Sequence, residues 1–190
     1  RKEILAAAKI IIHEKGHAAV TVRYLAEETG YSYSNLYYCF KDLNAFLWDL
    51  RLEMIEEMIT ELTAILLKKD DPVEEILEAF FCYADYFFRH PNVFRFFYFY
   101  PFIQLAGDDS YQKLEHQFQG LWQTSFFRLI QEGRIQADDL EVVAKTIIYS
   151  MQGMIMLFFS SNGDTNEEVI KDELAKIVHY LFKMNAQRNQ

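Results

Sequence analysis

Apolar residues recur at helical spacing along the whole chain, and this periodicity limits the fold more than any other feature. Ile4, Leu5, Ala8, Ile11 and Ile12 form the first such run. Recurrence at i, i+3, i+4 and i+7 is typical of an amphipathic helix. We find no convincing alternation of apolar and polar residues of the kind that a half-buried strand shows. The sequence therefore predicts an all-α fold with about nine helices.

Glycines and capping residues separate the predicted helices. Gly16 stands where a left-handed residue would end the first helix, and Gly30 stands between two short helices. Thr21, Ser32 and Asp42 are placed as N-caps of the second, third and fourth helices. Later helices are predicted over about 110–133, 138–161 and 165–186.

The net charge of −9 is unevenly distributed over the 190 residues. Residues 1–50 contain six basic and six acidic side chains, so the whole excess of acid lies beyond residue 50. Because nucleic acids bind through lysine and arginine, only the neutral first part of the chain suits a polyanion. Two cysteines are too few for a disulfide framework, which favours a reducing compartment. We therefore expect a cytoplasmic protein.

A long uncharged stretch from Thr146 to Asn162 approaches the length of a membrane span. Polar residues such as Gln152 and Ser160 interrupt it, and hydrocarbon penalises such groups. We expect a buried or interface helix here and no membrane partner.

Two short helices joined by a turn that contains Gly30 form a helix-turn-helix pattern, whose second helix enters the major groove of DNA. The run from Ile4 to Leu47 resembles the TetR family of transcriptional regulators. The matching segments are Ile4-Leu5-Ala6-Ala7-Ala8, Glu14-Lys15-Gly16, Thr21-Val22, Leu25-Ala26, Thr29-Gly30-Tyr31-Ser32 and Leu36-Tyr37-Tyr38-Cys39-Phe40-Lys41-Asp42.

The resemblance implies a helix-turn-helix DNA-binding domain over residues 1–47 and a helical ligand-binding and dimerisation domain over residues 48–190. It implies a homodimeric repressor that binds a palindromic double-stranded DNA operator. A small-molecule effector, which the aromatic composition suggests is largely apolar or aromatic, would release it.

By the same resemblance, nine residues of the first domain would contact DNA. They are Thr21, Arg23, Ser32, Tyr33, Ser34, Asn35, Tyr37, Tyr38 and Lys41. Asn35 is placed to pair with an adenine edge, and Tyr37 matches a family tyrosine that reaches a phosphate. Leu43 stands where the family usually has a lysine, so we expect a shallow salt dependence for the family. The alternative is that Tyr31, Tyr37 and Tyr38 are packing residues.

Aromatic residues are concentrated between Phe80 and Phe102, where 13 of 23 residues are Phe or Tyr. One helix face cannot bury so many rings, so this segment is surrounded by protein or borders a cavity. We predict an effector pocket lined by Tyr83, Tyr86, Phe87, Phe94, Arg95, Tyr98, Phe118, Trp122, Tyr149 and Gln152. The alternative is a solid aromatic core.

The last two helices pair with those of a second subunit in the family. Apolar residues at helical spacing provide the faces that such pairing uses. The predicted interface consists of Met151, Ile155, Phe158, Ile170, Leu174, Ile177 and Leu181.

Two other functions compete with this interpretation. His13, Glu14 and His17 fit the H-E-x-x-H zinc motif, but Gly16 interrupts the continuous helix that the motif needs. We therefore expect no enzyme, metal or cofactor. The second alternative is a helical dimeric adaptor or sensor whose first domain has lost specific DNA binding, because that domain is uncharged overall.

Overall fold

The computed structural model describes residues 1–40, 42–102, 109–160 and 166–188, with side chains up to residue 184. Within these ranges the chain forms nine α-helices and no β-strand, which confirms the predicted fold class. The helices are α1 (Lys2–Lys15), α2 (Val22–Thr29), α3 (Tyr33–Cys39), α4 (Leu43–Ile65), α5 (Pro72–Arg89), α6 (Pro91–Phe99), α7 (Ser110–Gln131), α8 (Leu140–Phe159) and α9 (Glu167–Arg188). The last three begin and end within two residues of the predicted bounds.

The three predicted N-caps begin α2, α3 and α4. Each side-chain oxygen accepts a hydrogen bond from the backbone N–H three residues further on, over 3.1 Å at Thr21, 3.3 Å at Ser32 and 2.8 Å at Asp42. These bonds satisfy amides that have no partner within the helix. The starts of the short helices are therefore determined locally.

Two glycines end the first two helices in different ways. Gly30 has φ 70° and ψ 6°, the left-handed conformation predicted after α2. Gly16 also has a positive φ of 79°, but its ψ of 170° lies outside the left-handed helical region. The prediction for Gly16 is wrong in this respect because the chain passes into a 3-10 turn, His17–Ala19.

The chain divides into two compact units, and the first contains residues 1–60 and 89–117. In this unit α1 packs against α2 and α6, and α2 packs against α3. Ile4, Ala8 and Ile12 on α1 are at most 1 % exposed. The Asn92 amide of α6 donates a hydrogen bond to the carbonyl oxygen of His13, over 3.0 Å.

The second compact unit contains residues 61–88 and 118–190. Here α8 packs against α9, with Ile147, Ile155 and Leu174 fully buried. Arg128 donates to Glu75 over 2.8 Å and also to backbone carbonyl oxygens just before α5. The predicted functional division after residue 47 does not coincide with these compact units and stays a prediction.

One described region, Ala137–Phe159, is long and apolar enough to cross a membrane by length and composition alone. Only 22 % of the most apolar 18-residue stretch of this region is buried within the chain. A single helix of this kind is weak evidence of a span, because a helix that packs against a second chain has the same composition.

Alanine at two glycines tests the backbone assignment. At Gly30 and Gly120 a Cβ atom would meet no other atom within 4 Å. The only effect of Gly30→Ala is therefore the backbone strain of an alanine at φ 70°. We expect it to lower the free energy of unfolding by about 1–2 kcal/mol. The matched change Gly120→Ala, within α7, should raise it by about 0.5–1 kcal/mol. Urea unfolding at one protein concentration measures both, and shifts of equal sign would contradict the assigned conformations.

Candidate nucleic-acid interface

The relation between α2 and α3 depends on two buried leucines and the turn between them. Leu25 on α2 is 3 % exposed and Leu36 on α3 is 5 % exposed. Each helix therefore has one side chain fixed in the interior, while Gly30 turns the chain between them. Two short helices packed in this way form the predicted helix-turn-helix.

The predicted DNA-binding residues that the structure describes are all exposed. They are Thr21, Arg23, Ser32, Tyr33, Ser34, Asn35, Tyr37 and Tyr38. Lys41, the ninth predicted residue, lies outside the described residues. Except for Thr21 and Arg23 at the start of α2, they form α3 or its N-cap, so one short helix carries most of the predicted contact surface.

Three tyrosines of this region differ in their surroundings. Tyr38 is 93 % exposed and Tyr37 is 59 % exposed. Tyr31 is half-buried, and its hydroxyl donates to the Glu3 carboxylate, which raises the pKa of Tyr31. Packing within the chain therefore accounts for Tyr31 but not for Tyr38.

Two cations of α1 and its N-cap, Lys9 and Arg1, have carboxylate partners in the chain itself. Partial burial lowers the pKa of Lys9, but its bonds to Glu57 and Glu53 outweigh this effect and raise the pKa above its ordinary value. Arg1 pairs with Asp49. These pairs reduce the positive potential available to a polyanion.

The motif His13-Glu14-Lys15-Gly16-His17 does not form a zinc centre in this structure. The ring of His13 lies 4.8 Å from that of His90, between centroids, while the ring of His17 stacks on Phe96 at 6.2 Å. Across the described part of the chain, no group of three or more His, Cys, Asp or Glu side chains is arranged to hold a metal ion.

The predicted effector-pocket residues of the second unit form an aromatic cluster. Tyr83 lies 4.8 Å from Phe87 and 5.1 Å from Phe118, and Trp122 lies 4.6 Å from Phe118, all between ring centroids. Tyr83, Phe87 and Trp122 are at most 5 % exposed, as is Tyr86. The predicted pocket residues on α5 and α7 are therefore densely packed aromatic side chains. Two further members lie on α8, where Tyr149 is 64 % exposed and Gln152 is half-buried.

Three predicted pocket residues belong to the first unit and lie on α6. Phe94 is fully buried, whereas Arg95 and Tyr98 are exposed. The ring of Phe94 lies 4.8 Å from that of Tyr98, so the aromatic segment continues along this helix.

The predicted dimer-interface residues fall into two groups. Met151, Ile155, Ile170 and Leu174 are at most 2 % exposed within the single chain, so they leave little surface for a second chain to contact. Phe158, Ile177 and Leu181 are half-buried. The apolar side chains that α8 and α9 expose are Val142, Tyr149, Met156, Leu157, Val169, Tyr180 and Met184. Periodicity alone did not separate the inward face of these helices from the outward face.

Two features of the first compact unit have no signal in the sequence pattern. The guanidinium of Arg51 lies 4.5 Å from the ring centroid of Phe102 and 4.8 Å from that of Tyr111, within range of cation–π attraction. Its buried Nε has no hydrogen-bond acceptor among the described residues. Lys15 donates to the hydroxyl oxygen of Tyr24. Neither pairing follows a helical period, so periodicity could not indicate it.

A helix-turn-helix with an exposed second helix, within an all-α chain, is typical of DNA-binding regulatory proteins of the helix-turn-helix class. The sequence model of bacterial regulatory proteins of the tetR family matches residues 4–47. The predicted resemblance of the amino-terminal region to the TetR family is therefore confirmed.

Solved structures share the fold of nearly the whole chain. RolR without ligand is 16 % identical, with a TM-score of 0.66, covering 98 % of this chain and 95 % of RolR. RolR in complex with resorcinol is 17 % identical, with a TM-score of 0.67 and coverages of 98 % and 92 %. The TetR-family regulator PfmR from Thermus thermophilus is 21 % identical, with a TM-score of 0.64 and coverages of 93 % and 97 %. No curated protein sequence matches the chain.

The position of His17 predicts a pH dependence of stability. Burial against Phe96 and Tyr100 lowers the pKa of His17 below its ordinary value of about 6.5. The unfolded chain therefore binds a proton before the folded chain does as pH falls, and folding loses stability below about pH 6.5. His17→Gln should lose less unfolding free energy than the wild type between about pH 7.5 and 5.5. His116→Gln, at an exposed histidine of α7, is the control. A loss equal to that of the wild type in both variants would contradict this assignment.

Proposed function

We propose that the chain is a cytoplasmic, ligand-responsive transcription regulator without enzymatic activity. It binds a palindromic operator as a homodimer and represses transcription until a small aromatic or largely apolar effector releases it. The observation that carries the proposal is the surface of α3, where Tyr33, Asn35, Tyr37 and Tyr38 are exposed while Leu36 anchors the helix.

The polar side chains of α3 support a role in reading bases. An asparagine amide bonds in bidentate fashion to adenine in the major groove, which assigns base discrimination to Asn35. Tyrosine hydroxyls bond to phosphates, and their rings offer apolar contact. We assign Tyr37 and Tyr38 to the DNA backbone, together with Thr21 and Arg23 at the start of α2.

The aromatic cluster of the second unit supports an aromatic effector. Its rings are apolar and planar, which suits an aromatic ligand that enters between them. RolR, which shares the fold, binds resorcinol, a small phenol. An effector that binds more tightly to a state with a different separation of the two α3 helices would release the operator. We assign the transmission of this change to α4.

The exposed apolar side chains of α8 and α9 support a homodimer. Tyr149 and Leu157 on α8 and Tyr180 on α9 are each more than 60 % exposed. Leaving such side chains in water is unfavourable, and a second copy of the same helices would cover them. A dimer also presents two α3 helices, as a palindromic operator requires.

A helical adaptor without DNA binding is the second candidate. Its support is the pairing of Arg1 and Lys9 with carboxylates of α4. Operator binding distinguishes the two candidates, since the adaptor would bind no DNA selectively.

Binding to the DNA upstream of its own gene tests the proposed regulator. At about 100 mM salt we expect nanomolar, sequence-dependent binding, with a slope of log K against log salt near −5 for about three basic contacts per subunit. Asn35→Ala should weaken specific binding about tenfold, because it removes a bidentate base contact. Gln123→Ala, at an exposed amide of α7, should have no effect. Binding no tighter than to random duplex would favour the adaptor.

Sedimentation velocity tests the proposed dimer. The wild type should sediment at twice the 22.6 kDa mass of the chain. Leu157→Glu places a charge in the covered face and should give monomers, since an unpaired charge is costly to bury. Phe127→Glu makes the same change at a half-exposed apolar residue of α7 and should leave the dimer intact. A dimeric Leu157→Glu variant would exclude this face as the interface.

A further inference from the structure

A cleft of about 360 Å³ opens beside the start of α2. It is lined by Lys15, Ala19, Thr21, Arg23, Tyr24 and Glu27. All of these residues belong to the first compact unit, and the cleft adjoins the helix-turn-helix. It contains two cations from different helices and a single carboxylate.

Each cation in the cleft is held by a neighbouring side chain. The ammonium of Lys15, at the end of α1, donates to the Tyr24 hydroxyl oxygen, and this bond raises the pKa of Lys15. The Nε of Arg23 donates to Glu27 over 2.9 Å, which raises the pKa of Arg23. Both side chains therefore stay charged, and Tyr24 and Glu27 determine where those charges lie.

The ion pair of Arg23 and Glu27 contributes little free energy. The side chains are 80 % and 56 % exposed, and ion pairs of this kind, one helical turn apart, contribute little because water screens them. A phosphate offers the guanidinium a stronger, charge-assisted bidentate contact. Glu27 can therefore be displaced, but it opposes the approach of any anion to Arg23.

We infer that this cleft receives a phosphate of the DNA backbone, that Lys15 is its second cation, and that Glu27 competes with the phosphate for Arg23. The inference rests on the proposed DNA-binding function and deepens it. Lys15 comes from α1, outside the helix-turn-helix, and Glu27 acts against binding.

The composition of α3 explains what Glu27 contributes. That helix contains neither acidic nor basic residues, so it reads DNA by hydrogen bonds and apolar contacts alone. Attraction to phosphates is the same for every sequence and raises non-specific binding. By weakening that attraction, Glu27 lowers non-specific binding, which rests on phosphate contacts alone. It is a positioning residue that acts through Arg23.

Salt titrations of DNA binding by the full-length dimer test the inference. Each variant is titrated with the upstream fragment and with a random duplex, between about 50 and 300 mM salt. Glu27→Gln should bind random duplex about fivefold more tightly and steepen the slope of log K against log salt by about two per dimer, because Arg23 of each subunit then pairs fully with the phosphate. Lys15→Gln should reduce the slope by about two. Glu132→Gln removes the same charge from a turn of the second unit and controls for net charge.

A double-mutant cycle separates competition from a general charge effect. In an Arg23→Gln background, Glu27→Gln should change the slope no more than Glu132→Gln does, because its target is gone. Thermal unfolding of each variant verifies that it is folded.

Equal slopes for Glu27→Gln and Glu132→Gln, or an unchanged effect in the Arg23→Gln background, would overturn the role of Glu27. An unchanged slope for Lys15→Gln would overturn the proposed contact between Lys15 and the phosphate. If the wild type does not distinguish the upstream fragment from random duplex, the proposed regulator fails, while the random-duplex slopes still decide the role of the cleft.

Discussion

The apolar face of α1 is the surface on which the first compact unit depends. Ile4, Ala8 and Ile12 are almost completely buried, and the helix contacts both α2 and α6. A two-turn helix such as α2 or α3 is not stable alone in water, because helix nucleation is unfavourable and few hydrogen bonds repay it. Packing of α2 against α1, and of α3 against α2, supplies the missing free energy. The exposed surface of α3 thus depends on the apolar face of α1, which is buried against its neighbours.

The local features of the fold were predictable because they depend on neighbours in sequence. Thr21 and Ser32 cap helices through amides three residues away, and Gly30 adopts the left-handed conformation for which glycine has no Cβ penalty. The exposure of α3 follows from the same kind of information, since Leu36 is its single large aliphatic residue. The sequence was therefore sufficient to predict the caps, the turn at Gly30 and the exposure of α3.

The inward and outward faces of α8 could not be assigned from sequence. This helix is apolar nearly all round, so its hydrophobic pattern does not distinguish the side that packs on its own chain. Ile155 is completely buried, while Leu157, two residues further on, is 61 % exposed. The pairing of Lys15 with Tyr24 was equally inaccessible, because it joins two helices across a turn whose geometry no short pattern encodes.

The bond between Asn92 and the carbonyl of His13 links α6 to the main chain of α1 rather than to a side chain. Because the acceptor is a backbone oxygen, the bond is made to the last turn of α1 itself, whatever rotamers its side chains adopt. His13 lies in the last turn of α1, three residues before Gly16, and the chain then continues through a 3-10 turn to Thr21. The bond between Asn92 and His13 therefore joins the aromatic helix α6 to the segment that leads into the start of α2.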